Sequence, residues 1–150
     1  MRIQGLLALT LLAACSSNDD VGIFAVTGNT GSVNQPSPFR VAAIRGSVFG
    51  TAGQAVSGAT VTINGTASDS GGSCNGATAQ VIVSTGTTGE FRGELRVPND
   101  VLNICVTVTA VPPVGSTLRS ATVDAGRMSP ALQRQGTPVP ERAVFIQLSP

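Results

Sequence analysis

Two runs in which apolar and polar residues alternate, joined by a glycine-rich turn, constrain this chain more than anything else in it. From Val41 to Phe49, residues Ala42, Ile44, Gly46 and Val48 share one face. From Ala59 to Asn64, residues Ala59, Val61 and Ile63 share one face and Thr60, Thr62 and Asn64 the other. A period of two is the mark of a half-buried strand, because successive side chains leave an extended backbone on opposite sides. The connection carries Gly53 and Gly58, which predicts a tight turn with φ > 0 at glycine. About 25 residues further on, Thr85-Gly86-Thr87-Thr88-Gly89-Glu90-Phe91 repeats the pattern of strand, glycine turn and return to a core.

The same alternation predicts the other strands. Val81 and Val83 mark a third, after a Gly/Ser loop from Ala67 to Ala77 that holds Cys74. Phe91, Leu95 and Val97 mark a fourth, whose opposite face carries Arg92, Glu94 and Arg96. Ile104, Val106 and Val108 mark a fifth, which Pro112-Pro113 stops. Thr117 to Val123 reads as a weaker sixth, and Val144, Ile146 and Leu148 as a seventh. Pro130 to Pro140 reads as a loop with one helical turn around Ala131-Leu132-Gln133. Seven short strands at this spacing predict an all-β, Greek-key β-sandwich.

Composition agrees. The 150 residues suit one domain, and aromatics make up only 3 %, so the core must be built from Val, Ile, Leu and Ala around five Phe. All nine basic residues are Arg, and the chain has no Trp, Tyr, His or Lys. With neither a basic stripe nor an aromatic ladder, nucleic-acid binding is excluded.

Gly46, Val48, Gly53, Gly58, Ala59 and Val61 follow the pattern G-x-V…G-x-x-x-x-G-A-x-V, and Thr85, Gly89 and Phe91 follow T-x-x-x-G-x-F. In these elements the chain resembles the carboxypeptidase regulatory-like family, a transthyretin-like (prealbumin-like) sandwich. The resemblance covers residues 41–110 and extends over 117–148 only through strand pattern. It departs from the family in having Ala55-Val56 before the second glycine, Gly86 where Asp is usual, and no late Gly-Tyr. It implies Gly53, Gly58 and Gly89 as turn glycines, Phe91 as a plug, and an accessory role beside peptidases, glycan-handling proteins or transporters.

The first residues read as an address. Met1-Arg2-Ile3-Gln4 is followed by an apolar run from Gly5 to Ala14, too short to remain as a membrane-spanning helix. Leu12-Ala13-Ala14-Cys15 resembles the bacterial lipobox, in which the Cys15 thiol carries diacylglycerol. Two or three acyl chains, at about 0.8 kcal/mol per buried CH₂, would anchor the chain firmly to a membrane. Ser16, rather than Asp, after the cysteine implies the outer membrane by analogy with Gram-negative lipoproteins. The expected organisation is a signal peptide (1–14), a lipidated flexible tether (15–40) and the sandwich domain (41–150). Within the tether, Val21 to Val26 is an apolar run, read as an extra edge strand or a partner-docking segment.

Cys74 and Cys105 are then an even pair in an exported chain, for which a disulfide is the economical reading; two free thiols are the alternative. Two cysteines without His are too few ligands for a metal site, and no cofactor is expected.

Without His or Lys the chain cannot form a Ser-His-Asp, Ser-Lys or Cys-His arrangement, an H-E-x-x-H zinc site or a P-loop. Asp69-Ser70-Gly71 copies an aspartic-protease triplet once only, and reads better as an Asx-turn. Glu90 and Glu94 share a strand face, but Arg92 and Arg96 beside them make it a solvated charged face. Asn64-Gly65-Thr66 is a glycosylation sequon in form. No catalytic residues are assigned, and the chain is expected not to be an enzyme. The expected function is a non-catalytic, lipid-anchored envelope protein, with a membrane reached through Cys15 and an envelope protein as partner. The alternatives are a carbohydrate or envelope-polymer binding module, which lacks the usual Trp or Tyr platform, and a hydrolase using carboxylates.

Overall fold

The computed structural model describes residues 39–133 and 136–150, and the lipobox, Cys15, most of the tether and Val21 to Val26 lie outside them. The described chain is all-β: β1 (Phe39–Gly50), β2 (Thr60–Ser68), β3 (Cys74–Ser84), β4 (Glu90–Pro98), β5 (Ile104–Val111), β6 (Ala121–Met128), β7 (Ala131–Leu132) and β8 (Glu141–Leu148). They form a β-sandwich. In one sheet β1 is central, with β4 antiparallel on one side and, on the other, β8 parallel and the two residues of β7 antiparallel. In the other the order is β3-β2-β5-β6, antiparallel throughout.

The alternation read from the sequence determines what each sheet turns inward. Ala42, Ile44 and Val48 of β1, Leu95 and Val97 of β4, and Val144, Ile146 and Leu148 of β8 meet Val61 and Ile63 of β2 and Ile104, Val106 and Val108 of β5 in one core. With so few aromatics, close packing against glycines takes the place of bulk. A Cβ on Gly46 would stand 2.8 Å from the Phe91 ring and 2.1 Å from the Val144 carbonyl oxygen, so the ring lies in the space that glycine leaves. Gly65 and Gly93 likewise leave room for Leu95 and Ile63 from the facing sheets.

The turns after β1 and β3 are tied to each other by one side chain. Thr85 is the buried polar residue among the described positions. Its hydroxyl donates to the Val56 carbonyl (2.7 Å) and accepts from the Ala59 N–H (2.9 Å). Its backbone pairs with the same turn: Thr85 N–H donates to Ala59 O, and Gly58 N–H to Thr85 O. Gly89 closes the second turn at φ 76° and its carbonyl accepts from the Val48 N–H, while a Cβ there would stand 2.5 Å from Val48 O. Gly53 and Gly58 have φ of 79° and 71°.

Four expectations need correction. The loop after β2 is only the turn Asp69 to Ser73, and β3 begins at Cys74, because Gly/Ser composition hid a strand edge. The sixth strand starts at Ala121 rather than Thr117 and continues to Met128. A bulge at Asp124–Gly126, where the Asp124 carboxylate accepts from the Gly126 N–H, breaks its alternation. No helical turn forms at Ala131-Leu132; these residues pair with Val41 and Arg40, so seven long strands are joined by a short eighth.

Cys74 and Cys105 form a disulfide with a Cα separation of 5.9 Å. Ile104 and Val106 point inward, so Cys105 lies on the outer face, and the bond joins the two strands that flank the end of β2.

Two outcomes are expected. Thr85→Val leaves a buried carbonyl and a buried N–H without partners and costs about 2–4 kcal/mol in denaturant unfolding, whereas Thr85→Ser, which keeps both bonds, costs about 1 kcal/mol. Replacing both Cys74 and Cys105 by Ser lowers stability by about 3–4 kcal/mol for a loop of this length in the chain-entropy model.

Candidate functional site

The outer face of the β4-β1-β8 sheet holds a concavity of ≈ 530 Å³. Arg45 and Ser47 of β1, Glu90 and Arg92 of β4, and Ala143 and Phe145 of β8 line it, with Ser84 reaching in from the other sheet. The register makes this neighbourhood. Arg45 lies opposite Arg92 on one side and Ala143 on the other, and Ser47 lies opposite Glu90 and Phe145. Because Val144 and Ile146 point into the core, Phe145 must point out, and it is 68 % exposed.

An ion network roofs one end. Glu141 of β8 reaches Arg45 (3.4 Å) and Arg92 (3.2 Å), and Arg92 also reaches Glu94 (3.0 Å). Ala43, between Glu94 and Glu141 in the register, is fully buried beneath it. The hydrogen bond from Arg92 to Glu141, with the Glu94 charge adding to it, raises the Arg92 pKa above its ordinary value. These pairs are exposed, so they orient side chains more than they stabilise the fold.

Of the residues named from the sequence, Glu90 and Arg92 line the concavity and Glu94 joins its ion network, while Asp69 and Asn64 lie elsewhere. Asp69 is taken up by its own turn: its carboxylate accepts from the Ser73 N–H at 2.7 Å. Glu90 accepts from the Thr88 hydroxyl at 3.2 Å, and Glu94 is held by Arg92. Asn64 lies in β2, where its side chain accepts from Gln80 at 2.8 Å. Among the described residues, no three of His, Cys, Asp and Glu come together in a way that could hold a metal ion.

Sequence reasoning missed Arg45, Ser47, Ala143, Phe145 and Glu141. The one signal was an aromatic at an outward position of the last strand; its neighbours follow only from the parallel pairing of β8 with β1.

The sequence matches no protein-family model and no curated protein. Among solved structures, the fold is similar to a 3-chlorocatechol 1,2-dioxygenase from Rhodococcus opacus at 11 % identity and TM-score 0.44, over 73 % of this chain and 59 % of that one. This chain therefore spans less than two thirds of that protein's length. It is also similar, at 20 % identity and TM-score 0.45, to the dioxygenase domain of a dioxygenase–carbohydrate-binding protein fusion from a cellulolytic Streptomyces, over 78 % of this chain and 84 % of that one.

Both neighbours are enzyme domains, which corrects the expectation that the chain is not an enzyme. Missing His and Lys remove particular arrangements only. Carboxylates, backbone donors and bound cofactors also catalyse, so those absences do not exclude catalysis as a class.

Glu141→Gln disconnects Arg45 from Arg92. The unfolding midpoint of the wild type is expected to fall as salt is added, and that of the variant to fall less, the two converging at high salt. Equal salt slopes would show that the network contributes nothing.

Proposed function

We propose that this chain is a lipid-anchored envelope protein whose sandwich is a protein-binding accessory module related to the carboxypeptidase regulatory-like domain. Phe145 carries the reading. A large aromatic is exposed on the outer face of the edge strand β8, beside a concavity and rimmed by Arg45, Glu90 and Arg92. Apolar centres with charged rims are how protein contact surfaces are built, and buried aromatics supply most of their binding energy.

The kinship is supported by the two glycine-turn elements that carry the resemblance. Thr85 fastens them to each other, so residues far apart in the sequence serve one local structure. The anchor rests on Leu12-Ala13-Ala14-Cys15 and gives the module its place at the outer membrane.

The test is in-cell photo-crosslinking from position 145 of the full chain, with Cys15→Ser as the control for location. The expected result is an envelope protein captured from position 145 and lost in the control, with fatty-acid label on the wild type alone. Phe145→Ser should leave the unfolding midpoint unchanged, because the ring is exposed. Unchanged membrane fractionation of Cys15→Ser would remove the anchor, and an empty crosslink would remove the contact surface.

A further inference from the structure

The long outer strands of the sandwich are not alike. β4 carries Glu90, Arg92, Glu94 and Arg96; β6 carries Asp124 and Arg127; β8 carries Glu141 and Arg142. β3 is eleven residues long and has no charged residue and no proline. Charges and prolines on an edge are what keep one sheet from pairing with another, so β3 lacks the ordinary protection. It has a single partner among the described strands, β2.

The hydrogen bond from Thr85 N–H to Ala59 O sets which backbone groups are taken. Bonded pairs alternate along an antiparallel ladder, so Val83, Val81 and Ala79 turn their N–H and C=O toward Val61, Ile63 and Gly65 of β2. Those of Thr78, Gln80, Ile82 and Ser84 point to the open side. Ala79, Val81 and Val83 face the core and are only partly buried, while Ile82 on the outer face is 61 % exposed. Among the described residues, the strand thus offers unpaired backbone and apolar side chains together.

We propose that β3 pairs antiparallel with β3 of a second copy of this chain, about a two-fold axis at Val81. A copy of itself is the occupant this edge fits. In an isologous pairing every residue meets the same short segment, and a segment without charge meets no like charge. The register follows from the inner face. With Val81 on the axis, Val81 meets Val81 and Val83 meets Ala79, so the half-buried row of each copy continues into the other. The groups at Gln80 and Ile82 then bond across the axis, and Thr78 pairs with Ser84. An axis at Ala79 would instead place Val83 opposite Asn75, a polar, exposed residue. The result is a sheet continuous through both copies. The Cys74–Cys105 bond lies outside the paired stretch, and the concavity at Phe145 lies mainly on the other sheet, touching the paired stretch only at its last residue, Ser84.

This pairing rests neither on the anchor nor on contact through Phe145. Its test is the mass of the full chain in mild detergent, measured by analytical ultracentrifugation. The wild type should show twice the monomer mass. Gln80→Lys with Ile82→Lys, both at exposed positions, should show the monomer mass with an unchanged β-sheet circular dichroism spectrum, since each new cation faces another across the axis. Gln80→Glu with Ile82→Glu should also be monomeric, and mixing the two variants should restore the doubled mass. A wild type that stays monomeric overturns the proposal, as does a Lys variant that still dimerises, a Lys–Glu mixture that does not, or protection of β3 from hydrogen exchange only when a different protein is bound.

Discussion

The hydroxyl of Thr85 makes two hydrogen bonds on which the arrangement of this sandwich depends. The core is small-residue and aliphatic, and shape alone places it loosely, since Val, Ile and Ala exchange partners at little cost. A buried hydroxyl does not. It must find both its donor and its acceptor, and it finds them only where the turn after β1 meets the end of β3. That meeting brings Gly89 against Val48, which starts β4 beside β1 and delivers Phe91 onto Gly46. One satisfied polar group thereby sets the relation of the two sheets at the end where the chain crosses between them.

The arginines hold the open rims in a related way. Arg40 donates to the carbonyls of Asn99 and Pro130, and Arg142 to those of Ala125 and Arg127. Arg127 in turn reaches Gly72. Each ties one element to the backbone of another through a planar, always-charged fork with several donors, which a Lys ammonium cannot imitate. A chain whose every cation is Arg is consistent with such a use, and Arg45, Glu90, Arg92, Glu94 and Glu141 gather on the outer face of β4, β1 and β8. The outer face of the other sheet carries polar pairs, Gln80 with Asn64 and Thr109 with Thr122, beside the exposed Ile82 and the disulfide at Cys105.

What could be read from the sequence divides along the same physical line. β1, β2, β4, β5 and β8 were legible because their inward residues keep a strict period of two, from Ala42 and Ile44 to Ile146 and Leu148. β3 was read only from Val81 onward, since Gly76 and Ala77 carry no hydrophobic signal and the strand is fixed there by the Cys74 bond and the β2 ladder. β6 slipped because the bulge at Ala125 and Gly126 shifts its phase. The concavity was not legible at all. Ser47 and Phe145 are neighbours only through a parallel ladder between the first and last strands, and no local pattern encodes a non-local register. The judgement about catalysis failed for a different reason: residue absences bear on specific arrangements, not on what a sandwich frame can host.

These constraints converge on β3. At one end Cys74 is bonded to Cys105 on β5, and at the other Ser84 leads into the latch at Thr85. An edge strand fastened at both ends loses little further backbone freedom when another strand pairs with it, and the ordering cost that usually opposes strand addition falls accordingly. A frayed edge would have to be ordered first and would resist pairing. The devices that hold this sandwich together are therefore the ones that leave its uncharged edge extended, with its backbone groups already in line for a partner.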